Sequence, residues 1–190
     1  LTLFAFSAQN WGRPEAEVEA LMDLLGEFIA SEWQEIMERD IRVIQIGEIG
    51  KVRNDVKRQL KELIAATRRN RSMTLALALS YGAREEIVRS ARKLVRRAAK
   101  GKLSAGQVDE DMMSAYMYTA KMPDPDLIIR TGGEKRISNF LLWQSAYAEF
   151  HFTKKLWPDF KQEDLRRAIA DFQKRRRRFG LTDEQIGEGN

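Results

Sequence analysis

The 190-residue chain sets 33 Lys and Arg against 28 Asp and Glu, a net charge of +5, and is 43% hydrophobic and 32% charged; this is the balance of one ordinary globular domain, with a modest basic excess that suits anionic ligands such as phosphates without requiring nucleic acid. The absence of cysteine excludes disulfides and thiolate metal sites and fits a reducing compartment, so the expected address is the cytoplasm. No window approaches the roughly 20 apolar residues that cross a bilayer, and no signal-peptide layout opens the chain, so any membrane contact is expected to be peripheral.

Leu1-Thr2-Leu3-Phe4-Ala5-Phe6 reads as a buried strand with no lead-in, and the gene product is expected to begin upstream of Leu1. A polar loop from Ser7 to Arg13 follows. Pro14 suits the first position of a helix, Glu15 and Glu17 favour its positive end, and the helix is expected to reach Arg39. Val18, Leu21, Leu24, Leu25, Phe28 and Ile29 place an apolar stripe along it. Ile41 to Ile46 alternates as a strand, Gly47 to Gly50 turns the chain, and a helix is expected from Val52 to Arg69. Met73 to Leu79 is an apolar run of strand length. After Gly82 comes a helix whose Ile87, Ala91, Leu94, Val95 and Ala98 share a face.

Gly101 ends that helix, Asp109 to Met117 gives a short helical piece, and Pro123 and Pro125 precede the strand Leu127-Ile128-Ile129. Gly132-Gly133 turns the chain into an expected helix from Asn139 to Ala146. Glu149 to Phe152 is a strand, and the last helix is expected from Gln162 to Phe179 with Leu165, Ile169, Phe172 and Phe179 inward. Strands alternating with helices predict an α/β fold with a largely parallel sheet flanked by helices on both faces. Residues 1–180 are expected to form a single domain and 181–190 a polar tail.

Ligands of such folds gather at the carboxyl ends of strands, which here are Ser7 to Arg13, Ser80 to Arg84 and Arg130 to Ser138. The third is the richest in chemistry. Arg130 ends a strand, Gly132-Gly133 let the backbone turn, and Lys135, Arg136 and Ser138 supply donors suited to phosphate oxygens, aided by a helix N-terminus near Ser138. From spacing alone this is either a diphosphate cradle or a glycine turn with solvated charges. His151 lies between Phe150 and Phe152 and reads as structural; with no second histidine it cannot form a histidine metal cluster. Arg175 to Arg178 complement the negative end of the last helix, and without a stacking platform no nucleic-acid partner is expected.

The run Arg130 to Asn139, continued by Phe140-Leu141-Leu142-Trp143-Gln144 and Ala146-Tyr147-Ala148-Glu149, closely resembles the C-terminal signature of the undecaprenyl diphosphate synthases, a family of cis-prenyltransferases. So do Phe6-Ser7 with Asn10-Trp11 and Arg13-Pro14, the segment Leu156-Trp157-Pro158-Asp159-Phe160, and the closing Arg177-Arg178-Phe179-Gly180. The resemblance implies a transferase that adds isopentenyl diphosphate in cis to an allylic diphosphate such as farnesyl diphosphate, making an undecaprenyl-like lipid with Mg2+ as cofactor. It implies that Arg130, Arg136 and Ser138 hold the isopentenyl diphosphate, that Asn10, Trp11 and Arg13 sit on the loop over the reacting centre, and that Glu149 takes part in metal-linked binding near the boundary of a homodimer. Leu21 and Leu24 would line the tunnel for the growing chain, although a stripe of this kind also serves a plain core. The lipid product would give peripheral membrane contact.

Departures from the family pattern cluster in the same segments: Gln9 stands where the family has glutamate, Ser80 where it has asparagine, Ala83 where it has glycine and Glu48 where it has aspartate. The family's aspartate and glycine-rich phosphate loop would precede Leu1, so the chain as given is expected to be inactive. A non-catalytic diphosphate-binding subunit is the alternative these departures leave open.

Overall fold

Strand β1 (Thr2–Ser7) lies parallel to β3 (Met73–Tyr81), and β3 lies parallel to β2 (Ile41–Ile46), giving a three-stranded sheet of order β1-β3-β2. This is seen in a computed structural model whose described residues are 1–175. They belong to two compact units, Leu1–Met122 and Pro123–Asn190.

β3 takes the middle position because it is apolar on both faces. Leu75, Leu77 and Leu79 join one cluster with Phe6, with Val18, Met22, Ile29 and Ile36 of α1 (Glu15–Glu38), and with Val56, Leu60 and Leu63 of α2 (Asn54–Ala66). Each such side chain contributes about 1.5–3 kcal/mol on burial. Ala76 and Ala78 alternate with these leucines and are fully buried on the opposite face. A cation fastens the two helices outside the core: Arg53, just before α2, reaches Glu19 and Asp23 of α1 at 3.0 and 2.8 Å as well as Asp55 at 2.8 Å. α2 stops at Ala66, short of Arg69, because the Thr67 hydroxyl donates to the Leu63 carbonyl at 2.8 Å and accepts from Val43 N at 3.1 Å. Pro14 also sits one residue earlier than expected, as the cap whose carbonyl accepts from Val18 N.

Two expectations for this unit are corrected. The opening apolar run is a half-buried edge strand, with Leu1 61% exposed and only Phe6 in the core, because on its described side β1 pairs with β3 alone. α3 (Ala83–Ala98) buries Ala83, Glu86, Ser90 and Leu94, while Ala91, Val95 and Ala98 face outward. The polar Glu86 and Ser90 are buried because they have partners: the Ser90 hydroxyl donates to the Tyr116 carbonyl at 2.9 Å, just after the short helix α4 (Glu110–Ala115).

In the second unit β4 (Leu127–Arg130) runs parallel to β5 (Glu149–Phe152), with Arg130 opposite Phe152. The crossover between them is not helical. Ser138, Asn139 and Leu141 have φ of 50, 62 and 47°, a left-handed backbone that an α-helix cannot pass through, so the helix expected over 139–146 is replaced by turns. The closing helix α5 (Gln162–Gln173) buries Asp164 and Ala168, leaves Leu165 and Ile169 exposed, and half-buries Phe172. Phe179, Arg176 to Arg178 and the tail at 181–190 lie outside the described residues.

Asp164 anchors the start of α5. Its carboxylate accepts from Lys155 Nζ at 2.9 Å and from Lys161 N at 3.0 Å and pairs with Arg167. These contacts, Lys155 foremost, hold its carboxyl well below the usual range. A carboxyl lowered by folding stabilises the fold above its unfolded pKa of about 3.9, and that contribution is lost as pH falls through this value toward the folded one. Thermal unfolding between pH 6 and 2.5 should therefore show Asp164→Asn less stable than the parent above about pH 5, with the gap closing below about pH 4. A gap that is constant with pH would show that the charge of Asp164 does not act this way.

Candidate active site

At the carboxyl end of β1 the pairing with β3 slips twice. Phe4 faces Ala78 and Phe6 faces Leu79, which leaves Ala5 over; Ser7 then faces Tyr81, which leaves Ser80 over. Ser80 adopts φ 48° and turns its hydroxyl to accept from Trp11 Nε1 at 2.8 Å. Trp11 packs against Phe6 with ring centroids 4.8 Å apart. Asn10 is held by a reciprocal cap: Ser7 N donates to Asn10 Oδ1 at 2.7 Å and Asn10 N donates to the Ser7 hydroxyl at 3.2 Å. The residues at 10 and 11 thus fix a single 3-10 turn, Ala8–Gly12. Gln9 donates to Glu85 at 2.8 Å, where a glutamate would set two carboxylates against each other. Arg13 is exposed and pairs with Glu17 at 2.7 Å. Such surface pairs contribute about 0–1 kcal/mol, so a diphosphate would readily displace Glu17.

The ends of β2 and β3 meet around Gly47, whose φ is 103° and which leaves no room for a Cβ beside the Leu79 carbonyl. Glu48 follows and accepts from the Tyr118 hydroxyl. Burial, aided by Glu48, pushes the Tyr118 hydroxyl well above its ordinary pKa, so it stays a donor. Tyr118 N donates at 2.6 Å to Glu86, which also accepts from the Tyr81 hydroxyl at 2.6 Å. Sequence reading missed Glu86 and Tyr118; the available signal was an acidic residue at a buried position of an otherwise amphipathic helix. On α1, Leu21 packs partly against the core, whereas Leu24 is 60% exposed and Phe28 is exposed beside it.

In the second unit the two glycines after β4 are committed to backbone pairing: Gly132 N donates to the Lys155 carbonyl at 2.7 Å and Gly133 N to the Thr153 carbonyl at 2.9 Å. They shape the loop but offer a ligand no N–H, and no helix begins at Ser138. Side chains supply further donors. Among the described residues, Arg130 Nε is buried with no hydrogen-bond partner, Arg136 is exposed and pairs with Glu134 at 2.5 Å, and Ser138 is exposed. Glu149, on β5, accepts from Arg175 at 2.9 Å, and Arg175 also pairs with Asp171 at 2.6 Å. Arg175 therefore ties strand to helix. His151 Nδ1 lies 3.5 Å from Asp171, in keeping with a structural place.

A family profile described as putative undecaprenyl diphosphate synthase matches residues 1–180. The chain belongs to this isoprenyl transferase family. It is 47% identical to the isoprenyl transferase of Chlorobaculum tepidum and 50% identical to that of Geobacter sulfurreducens, in each case over 98% of this chain and over 70% and 76% of the relative. Among solved structures, lavandulyl diphosphate synthase from Lavandula x intermedia, in complex with dimethylallyl diphosphate, superposes with a TM-score of 0.92 at 38% identity, covering 95% of this chain and 78% of that one. A probable undecaprenyl diphosphate synthase from Campylobacter jejuni gives 0.83 at 32%, covering 95% and 82%. The α/β fold with its parallel sheet is that of the cis-prenyltransferases.

For this transferase the donor set bears on Mg2+. Among the described residues no group of three or more His, Cys, Asp or Glu could hold a metal. Glu149 has one oxygen engaged by Arg175, which it shares with Asp171, and the other without a described partner. That free oxygen fits a magnesium ion bound through one carboxylate while substrate phosphates and water complete its shell.

Proposed function

We propose that this isoprenyl transferase condenses isopentenyl diphosphate in cis with an allylic diphosphate to make a long-chain polyprenyl diphosphate. The observation that carries the reading is Arg130: a half-buried guanidinium at the end of β4 whose Nε has no partner, followed by a loop presenting Arg136 and Ser138. A buried donor without an acceptor costs about 1–3 kcal/mol, a cost that a bound diphosphate oxygen removes. Arg130 and Arg136 bind and orient the isopentenyl diphosphate, and Ser138 adds a hydroxyl. Asn10 and Trp11 set the turn that presents Arg13, which exchanges Glu17 for phosphate. The chemistry needs the departing diphosphate neutralised and the allylic carbon held against the double bond. Mg2+, with Glu149 as its protein ligand, would supply part of that neutralisation. The reading extends to residues 1–180 as one working domain, to a cytoplasmic homodimer, and to a product that brings the enzyme to a membrane surface.

Arg130→Ala and Arg136→Ala should each weaken isopentenyl diphosphate binding roughly ten- to a hundred-fold, since each removes a charge-assisted contact worth about 1.5–3 kcal/mol. Isothermal titration tests this directly; affinities equal to the parent's in both variants would take these residues out of the site.

The exposed Leu24 and Phe28 are better placed than a core stripe to meet an apolar chain, with Leu21 partly buried beside them. Leu24→Trp should shorten the polyprenyl products with little change in melting temperature, whereas overpacking a true core costs about 1–3 kcal/mol. Unaltered product lengths, read by mass spectrometry, would return the stripe to an ordinary structural role.

A second reading, a non-catalytic diphosphate-binding subunit, draws on Gln9, a neutral residue bonded to Glu85 where the family resemblance gives a carboxylate. It predicts intact isopentenyl diphosphate binding without product.

A further inference from the structure

α3 carries a second set of cations that the transferase reading does not use. Arg89, Arg92, Lys93 and Arg96 recur at three- and four-residue spacings and so share one face. They line a cavity of about 340 Å³ together with Ser80 and Gly82. A basic row is usually a solvated surface, and Arg96 in the last turn also complements the helix end. Two features separate this one from that ordinary case.

The first is how the charges are partnered. The carboxylates lining the cavity are hydrogen-bonded to neutral donors, not to these cations: Glu48 to the Tyr118 hydroxyl, Glu85 to Gln9, and Glu86 to Tyr81 and Tyr118. Arg92, Lys93 and Arg96 have no acidic partner among the described residues. The cavity lining nonetheless sets four cations against these three carboxylates, and like charges at these spacings repel, so a small positive excess is left for an anion to meet. The second is Arg89. Its guanidinium carbon lies 3.7 Å from the centroid of the Tyr118 ring and its Nη2 donates to the Tyr116 carbonyl at 3.0 Å, which fixes the group, while its Nε is buried with no acceptor. A fixed guanidinium with a donor unused among the described residues, in a cavity also lined by three cations that lack a described acidic partner, has the chemistry of a phosphate site.

We propose that this cavity, carried wholly by the first unit, binds a phosphate-bearing anion. The same chemistry would take a small soluble phosphate or an anionic lipid headgroup, and the test separates the two.

The full chain is labelled with 15N-arginine and the Arg89 Nε–H resonance is followed by NMR during titration with inorganic pyrophosphate. Because the signal reports this cavity alone, binding at Arg130 does not interfere. Saturable movement of the resonance is expected, with affinity at least about tenfold weaker in the exposed-residue variant Arg92→Gln, Lys93→Gln, Arg96→Gln, where three charge-assisted contacts are lost. Arg68→Gln, Arg69→Gln, Arg71→Gln removes the same charge from another exposed segment and should change it less than about twofold, since distant exposed charges are screened. In a parallel arm, flotation with vesicles of phosphatidylglycerol and phosphatidylcholine, against phosphatidylcholine alone, reads headgroup binding. Pyrophosphate binding without flotation assigns a soluble ligand; flotation lost in the α3 variant and kept in the control assigns a headgroup. Equal effects of the two triple variants in both arms, or a resonance that does not move together with flotation indifferent to the α3 change, would overturn the proposal. Should the α3 triple variant fail to fold by circular dichroism, Lys93→Gln alone is read in the same way, with at least about threefold weakening expected.

Discussion

Gly47→Ala should destabilise the protein by about 2–5 kcal/mol, the sum of a left-handed backbone forced on alanine, about 1–2 kcal/mol, and overpacking, about 1–3 kcal/mol. The residue has φ 103°, and a Cβ there would sit 2.2 Å from the Leu79 carbonyl oxygen and 3.0 Å from Tyr81 Cβ. The first of these is a backbone atom of β3, the central strand, so the clash cannot be relieved by a side-chain rotation. Relief would move the end of the strand that presents Ser80 to Trp11. Gly50, three residues on, has no atom within 4 Å of a Cβ and no left-handed φ, so Gly50→Ala serves as the control. Urea denaturation of the two variants is the measurement. Coincident midpoints would show that the turn after β2 tolerates a side chain and that its geometry has been misjudged.

A second large effect is expected at Glu86, which is 1% exposed and accepts at 2.6 Å from both the Tyr81 hydroxyl and Tyr118 N. Glu86→Ala leaves those donors without this acceptor and opens a void, and the cost should be about 3–5 kcal/mol, as for other buried charge-assisted networks broken on one side. Glu86→Gln keeps one amide oxygen for one donor while its NH2 group faces the other, so its cost should be distinctly smaller. Tyr81→Phe combined with Glu86→Ala should cost less than the two single changes added together, because the pair shares a bond. Additive losses would mean that Glu86 and Tyr81 act independently.

These two residues also mark where sequence stops being a sufficient guide. β3 was legible because Leu75 to Leu79 is apolar at every position, as a strand buried on both faces requires, and β2 because Ile41 to Ile46 is rich in β-branched residues with polar ones at Arg42 and Gln45. Of the face expected on α3, Leu94 is buried and Ile87 half-buried, but Ala91, Val95 and Ala98 are exposed, whereas the buried positions include Glu86 and Ser90, whose partners lie at 81, 116 and 118. Burial of a polar group depends on what meets it, and no window of one helix contains that. The segment 139–146 looked helical from composition, yet left-handed φ values at Ser138, Asn139 and Leu141 stop a helix, and non-glycine residues seldom announce that conformation. For the candidate site, the order strand, glycine turn, cations marks Arg130, Lys135, Arg136 and Ser138 as a proposed diphosphate cradle. That the N–H groups of the two glycines are taken by the carbonyls of Lys155 and Thr153 could not be read from that order.

The two slips between β1 and β3 are opposite in sense: Ala5 is one residue too many in β1, and Ser80 is then one too many in β3. The register after them is therefore back in step, as in a reading frame restored by a second insertion. Removing Ala5 alone would drag Ser7 and the turn bearing Asn10, Trp11 and Arg13 one position along β3, and removing Ser80 alone would shift Tyr81 and Gly82 against β1. Removing both would return the strands to uninterrupted pairing, but it would take away the hydroxyl that accepts from Trp11. Length changes in these two strands can thus be tolerated only as a matched pair, and even then Trp11 would lose its acceptor at the end of the sheet.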